Sequence, residues 1–431
     1  MQHALNTQPE LYLARYRAVR RQTEKLCAPL TPEDTVMQPM VDVSPPKWHL
    51  GHTTWFFEMF ILQPHVSGYK HFHPQYAFLF NSYYNSMGSR IARSDRGTLS
   101  RPPLQDIYAY RQHVDQYMEK VLADTLLQEK PELAAVLELG LQHEQQHQEL
   151  LVTDIKYILS CNPLLPAYLP SPATAVLGLF SEKQPQNRWL PVPEGLYTVG
   201  HRGQGFCFDN ELQAHQVFIP AFEAQAAPVT NGEYLRFMQD GGYADFRHWL
   251  EEGWQLVQAQ QWQAPLYWLQ QEDQWFQFTL HGLQPLDLAA PVTHVCFYEA
   301  LAYANWSGHR LLTEFEWEAL SQKYPNPLAT GNFVESERYQ PVPAVFPAEQ
   351  PYAAQLLGNT WEWTYSSYLP YPHFETAPGA IGEYNGKFMI NQMVLRGGSC
   401  ATPQNHIRPT YRNFFHADKR WQFTGIRLAK R

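Results

Sequence analysis

The chain has 431 residues, of which 44% are hydrophobic and 17% charged, a globular composition long enough for two or three domains. A net charge of −9 without any long basic block argues against nucleic acid as a partner, and no apolar run reaches membrane-spanning length, which argues against a membrane protein. Five scattered cysteines (Cys27, Cys161, Cys207, Cys296, Cys400) form no C-x-x-C pair, and the first residues lack the apolar core of a signal peptide. A reducing cytoplasm is therefore the expected location.

In chain order, hydrophobic periodicity predicts helices over 10–26, 48–62, 104–127 and 132–160. Pro45-Pro46 and Pro131 suit helix starts, because proline lacks the N–H that a first turn leaves unpaired. Four long helices predict a four-helix bundle. The long connection over 64–103 contains "NSYYNSMGSRIARSDRG", and a loop of that length in a compact domain is often functional. A proline-rich stretch, "CNPLLPAYLPSPATAV", then reads as a connection between domains. Beyond it, short strands, aromatics and Gly/Pro turns alternate with isolated helices such as 231–239 and 297–306, an α+β pattern.

In "LQHEQQHQEL", His143 and His147 are four residues apart. With Val136, Gly140, Leu150, Asp154 and Ile158 they form one predicted helix face, where leucines are the usual occupants. An arbitrary pair of this kind is more often a hydrogen-bonded core pair than a metal site. A third histidine changes the weighing. "PPKWHLGHTTWFFE" offers His49 and His52; His52 shares a stripe with Trp48, Trp55 and Met59, and His49 shares one with Phe56 and Phe60, so periodicity does not choose between them. Three neutral imidazoles leave positions open for substrate and suit zinc, iron, nickel or copper. Glu149 reads either as a carboxylate that orients a histidine or as a solvated surface group.

The segments "KWHLGHTTWFFE" and "HEQQHQE" resemble DinB-like bundles. "VPEGLYTVG", "PVTNGEYLRFMQDGGY", "GNTWEWT" and "VLRGGSCATPQNHIRPTYRNFFHADKRWQFTGIRLAK" resemble the formylglycine-generating-enzyme-like (sulfatase-modifying factor) domain. The combination is similar to the EgtB family, the non-haem iron sulfoxide synthases of ergothioneine biosynthesis, and specifically to its cysteine-using branch. The resemblance implies a multidomain protein: an all-α DinB-like four-helix bundle over 1–165, a linker over 166–185 and an α+β, C-type-lectin-like domain over 186–431. It implies that Fe(II) is held by His52, His143 and His147, and so prefers His52 to His49. It implies that O2 is used to join the sulfur of L-cysteine to imidazole C2 of hercynine (Nα-trimethylhistidine), with oxidation to the sulfoxide. Tyr83 and Tyr84 then match proton donors of the cysteine-using branch, while another branch takes its tyrosine from the C-terminal domain. Gln146, Asn413 and Phe414 match hercynine contacts. Phe415 stands where the branch using γ-glutamylcysteine has aspartate, and Arg90, Arg93 and Arg96 are candidates for the substrate carboxylate. Calcium supports the C-terminal fold in some relatives and is open here, as is oligomeric state.

Rival readings are a DinB-type metal-dependent thiol transferase, which needs no O2, and a sibling synthase making ovothiol or selenoneine. A formylglycine-generating oxidase needs a close cysteine pair, and Cys400 has no neighbour in sequence. A lectin-like binding role leaves the three histidines idle.

Overall fold

A computed structural model describes residues 9–123, 130–170, 188–325, 327–346, 352–377 and 380–431. Most of the predicted 166–185 linker, and the end of the helix predicted over 104–127, lie outside these residues. The chain divides into two compact units. The first comprises Met1–Tyr168, Gly203–Phe206 and Thr376–Tyr384, and the second comprises Leu169–Arg202, Cys207–Glu375 and Asn385–Arg431.

The first unit is built on four helices: α1 (Pro9–Cys27), α2 (Pro46–Phe57), α3 (Leu104–Ala123) and α4 (Pro131–Ser160). Prolines occupy the first turns of α2 and α4, as expected. On α1 the buried positions Tyr12, Tyr16, Val19, Arg20, Thr23, Leu26 and Cys27 recur every three or four residues. All twelve residues of α2 are buried, the mark of a helix enclosed on every side. Both α1 and α2 pack on α3 and α4. The helix predicted over 48–62 continues past Phe57 as a π-helical segment, Glu58–Leu62. There the buried Glu58 carboxylate accepts from Tyr110 (2.5 Å) and Tyr69 (2.6 Å). The connection after it contains a short helix, Tyr76–Phe80, and 3-10 turns at Asn85–Met87 and Arg93–Thr98.

A buried ion cluster ties the helices together beside His143. The Glu144 carboxylate on α4 accepts from Arg20 (2.9 Å) and Thr23 (2.7 Å) on α1 and from Arg111 (3.0 Å) on α3. Burial alone would raise its pKa, but Arg20 and Arg111 override that and hold it at about 2.

In the second unit, β1 (Trp189–Val192), β4 (Phe222–Gln225), β8 (Arg310–Leu311) and β13 (Leu428–Ala429) form a sheet in the order β1-β4-β13-β8. A second sheet runs β11-β10-β9-β12, from β9 (Trp361–Ser367), β10 (Gln392–Arg396), β11 (Asn413–His416) and β12 (Thr424–Gly425), with only the β12–β9 pair parallel. The strands β2 (Gly195–Val199) and β3 (His215–Ile219) pair as a ribbon, and β5 (Trp268–Gln271), β6 (Gln274–Thr279) and β7 (Gly282–Pro285) form a meander. The expected helices are present as α5 (Asn231–Gln239) and α7 (Phe297–Trp306), joined by α6 (Glu251–Gln260) and α8 (Glu314–Lys323). Capping boxes start α5 (Thr230 with Glu233) and α8 (Thr313 with Glu316). The "GNTWEWT" motif is core: Trp361 and Trp363 are buried, and between them Glu362 accepts from Arg427 (2.7 Å) and the Trp317 indole (2.7 Å). In "RGGS", Gly397 and Gly398 have φ of 105° and 82°, a region that favours glycine.

Candidate metal centre

Helix α2 contributes His52 and α4 contributes His143 and His147, and one ring nitrogen from each lies within 4.8 Å of the others. Ring centroids are 4.9 Å apart for His52–His143, 4.7 Å for His52–His147 and 4.6 Å for His143–His147. All three are buried. Burial pushes the His143 imidazole down to about 3, and it likewise holds His52 and His147 well below the ordinary imidazole range. The rings are therefore neutral near pH 7, the state that offers a lone pair to a metal.

The surroundings fix two of the rings. His52 is stacked between Trp48 (4.5 Å) and Trp55 (5.6 Å), so the stripe predicted on α2 is an indole–imidazole–indole layer. Its Nδ1 is 2.6 Å from the carbonyl of Phe80, at the end of the short helix, which leaves Nε2 for a ligand. The Nδ1 of His147 is 2.9 Å from Nδ1 of His49, which again leaves Nε2. The Nδ1 of His143 has no hydrogen-bond partner among the described residues. A buried, neutral, three-imidazole donor set of this kind fits a divalent transition metal.

Of the other expected site residues of the first unit, Tyr84 and Arg96 touch aromatic rings that flank the triad. Tyr84 is buried against Trp55 (5.4 Å), Phe60 (5.2 Å) and Phe56 (6.5 Å), and burial, then Glu383 and Tyr83, raise its pKa. Tyr83 is half-buried, with its hydroxyl 3.4 Å from Arg93. Arg90 is exposed and bonds Asn85, and Arg93 donates to the Asp42 carbonyl (2.6 Å). Arg96 is buried over the face of Trp48, 3.4 Å from the centroid, and donates to Ser44 and Ser82 (2.8 and 3.0 Å). It has no salt bridge among the described residues, and burial lowers its pKa to about 9. Glu149 is buried, which removes the reading of a solvated surface carboxylate. Leu150, expected on the inward face, is half-buried while Leu151 is buried; α4 is enclosed over more of its circumference than a single stripe.

Sequence reasoning missed Tyr384. The segment Thr376–Tyr384 belongs to the first unit, and there Tyr384 donates to the Gln146 side chain, its ring 5.8 Å from His143. Beside it, Glu383 accepts the backbone N–H groups of Asn85 and Ser86 at 2.8 and 2.9 Å. No local signal in "GEYNGKF" marks this tyrosine.

In the second unit the edge strand β11 carries Asn413, Phe414 and Phe415. Phe414 stacks on Tyr368 (4.0 Å), whereas Phe415 meets Trp421 edge-on (5.6 Å). The pleat thus sends Phe414 to one face and Phe415 to the other.

The fold and the site define a DinB-type histidine centre joined to a sulfatase-modifying-factor domain. A DinB superfamily model matches residues 15–151, and a sulfatase-modifying factor enzyme 1-like domain model matches residues 178–431. The chain is 32% identical to the hercynine oxygenase of Mycolicibacterium smegmatis, over 90% of this chain and 91% of that protein. It is 30% identical to the hercynine oxygenase of Mycobacterium tuberculosis, over 92% of each chain. Similarity to the formylglycine-generating enzyme of Bos taurus, 28% identical, covers 50% of this chain and 66% of the other. The chain belongs to the hercynine oxygenase family, and is therefore an enzyme of the oxygenase class. Among the described residues no helix is long and apolar enough to cross a membrane.

Proposed function

We propose that this enzyme is an O2-dependent non-haem Fe(II) sulfoxide synthase that joins the sulfur of L-cysteine to imidazole C2 of hercynine. The observation that carries the reading is the buried triad of His52, His143 and His147 in a chain similar to hercynine oxygenases over nine-tenths of its length. Iron held there would supply adjacent open coordination positions for the thiolate, the substrate imidazole and O2, together with one-electron redox chemistry. The protein's own contribution is positioning, exclusion of water and proton supply. Trp48, Trp55 and Phe56 pack around the triad and keep water out. Gln146, on the same helix as two of the histidines, orients hercynine, with Asn413 and Phe414 as further contacts carried by the resemblance. Arg96 offers a desolvated cation for a substrate carboxylate, with Arg90 and Arg93 nearer solvent. Tyr84 and Tyr384 are two phenols able to give a proton to reduced oxygen.

The test is anaerobic reconstitution with Fe(II), followed by mass spectrometry of the product from hercynine, cysteine and O2. His143→Ala and His147→Ala should each abolish tight iron binding and turnover while the protein stays folded. Full iron occupancy in both variants would rule out the triad. A thiol-transfer product without oxygen uptake would favour the DinB-type transferase instead.

A further inference from the structure

Beyond the triad, a chain of buried polar contacts runs away from His147. His147 Nδ1 lies 2.9 Å from His49 Nδ1, and His49 Nε2 lies 3.1 Å from Asp154 Oδ2. The same carboxylate oxygen accepts the Ser44 backbone N–H at 2.8 Å, just ahead of α2. His49, His147 and Asp154 have 2%, 8% and 3% of their surface exposed, so water does not substitute for these bonds. We infer that His49 and Asp154 are positioning residues that fix the tautomer and orientation of His147 so that its Nε2 lone pair faces the metal. The inference rests on the reading of the triad as a metal site.

The proton inventory gives the direction. The Asp154 carboxylate only accepts, so the Nε2 of His49 carries the hydrogen. A metal on Nε2 of His147 takes that atom's lone pair and leaves the ring hydrogen on Nδ1, so His147 Nδ1 donates and the Nδ1 lone pair of His49 accepts. Neutral His147 with a hydrogen on Nδ1 has its lone pair on Nε2, the atom a metal needs. The contact also holds the ring in place, because His147 cannot rotate about its Cβ–Cγ bond without breaking it. His49 thereby gains a role although it lies outside the ligand set. The helical stripe that made it an alternative to His52 reflects its place behind His147.

The test measures metal binding independently of turnover. Fe(II) affinity is read anaerobically by competition with a chromogenic chelator, and site geometry from the visible spectrum of the Co(II)-loaded full-length protein. His49→Phe keeps a flat ring and removes both bonds; it should weaken Fe(II) binding by about 10–100-fold and alter the Co(II) bands. His49→Gln restores one acceptor and one donor and should recover most of that loss. Asp154→Asn should give a smaller weakening with an unchanged thermal midpoint, and it decides the matter if His49→Phe does not fold. Wild-type affinity and spectrum in Asp154→Asn, or equal losses in His49→Phe and His49→Gln, would overturn the relay and leave the triad standing. A wild-type protein that binds neither metal, or that binds them undiminished in His143→Ala, would overturn the triad and the relay with it.

Discussion

The hydroxyl of Tyr384 is bonded to Gln146 and its ring lies 5.8 Å from His143, whereas the Tyr84 ring packs on Trp55 and Phe56, which flank the triad. Burial also makes Tyr84 a weaker acid. We therefore expect Tyr384→Phe to reduce sulfoxide formation more than Tyr84→Phe, by the roughly 10²–10⁴-fold typical of a lost general acid, with oxygen diverted to oxidation of the thiol. Rate and product ratio for both variants decide it; a larger effect from Tyr84→Phe returns the role to the tyrosine pair. A second residue-scale expectation concerns pH. In the metal-free protein His143 is held at about 3 against 6.5 in the unfolded chain. As pH falls through that window the unfolded state takes up a proton that the folded state refuses, so stability present above pH 6.5 is lost on acidification. One such imidazole accounts for about 1.4 kcal/mol per pH unit, and His52 and His147 act in the same direction. Urea unfolding midpoints should be lower at pH 5.5 than at 7.5, and equal midpoints would contradict the buried neutral triad. The sequence revealed His143 and His147 because helical spacing placed both on one face. It did not reveal the bond between His49 and His147, or the one between Tyr384 and Gln146, because each joins residues at least 98 positions apart.

Helix periodicity was legible because burial follows it: α1, α3 and α4 begin and run within a few residues of the expected positions. The π-helical end of α2 was not, since a one-residue widening leaves the apolar pattern of "FFEMFIL" intact. Close packing between α2 and α4 depends on Gly140. A Cβ there would lie 2.7 Å from Phe57 Cε1 and 2.9 Å from Phe56 Cε1, and both rings are fully enclosed. Gly140→Ala gains up to about 1 kcal/mol of helix propensity but overpacks two aromatic rings, a cost of roughly 1–3 kcal/mol. Because the Phe56 ring is 4.9 Å from His143, the strain reaches the triad. The expected result is a lower urea midpoint with an unchanged slope and weaker Fe(II) binding. A midpoint above wild type would show that the helices can move apart without cost.

At the scale of the molecule, the two family matches together span residues 15–151 and 178–431, yet the compact units do not follow them strictly, because Thr376–Tyr384 belongs with the bundle. No composition shift announces that segment, so its membership was invisible in the sequence. Choice of thiol is a property of the whole enzyme, and the resemblance ties it to Phe415. Phe415 pairs with Met393 across β11 and β10 and packs edge-on against Trp421. The resemblance places an aspartate at this position in the branch that uses γ-glutamylcysteine. A carboxylate there can pair with the ammonium of the γ-glutamyl group; a phenyl ring cannot, and it fills the space. Loss of a charge-assisted hydrogen bond costs roughly 1.5–3 kcal/mol, about one to two orders of magnitude in binding. The enzyme should therefore prefer L-cysteine, and Phe415→Asp should narrow the gap between the two thiols. Phe414, whose ring faces Tyr368 on the other side of the strand, serves as the control: Phe414→Leu should alter KM for hercynine without changing the ratio of the thiols. The measurement is kcat/KM for both thiols at saturating hercynine and O2. A wild type that handles γ-glutamylcysteine better than cysteine would remove the role given to Phe415 and leave the histidine centre untouched, because the two readings rest on different residues.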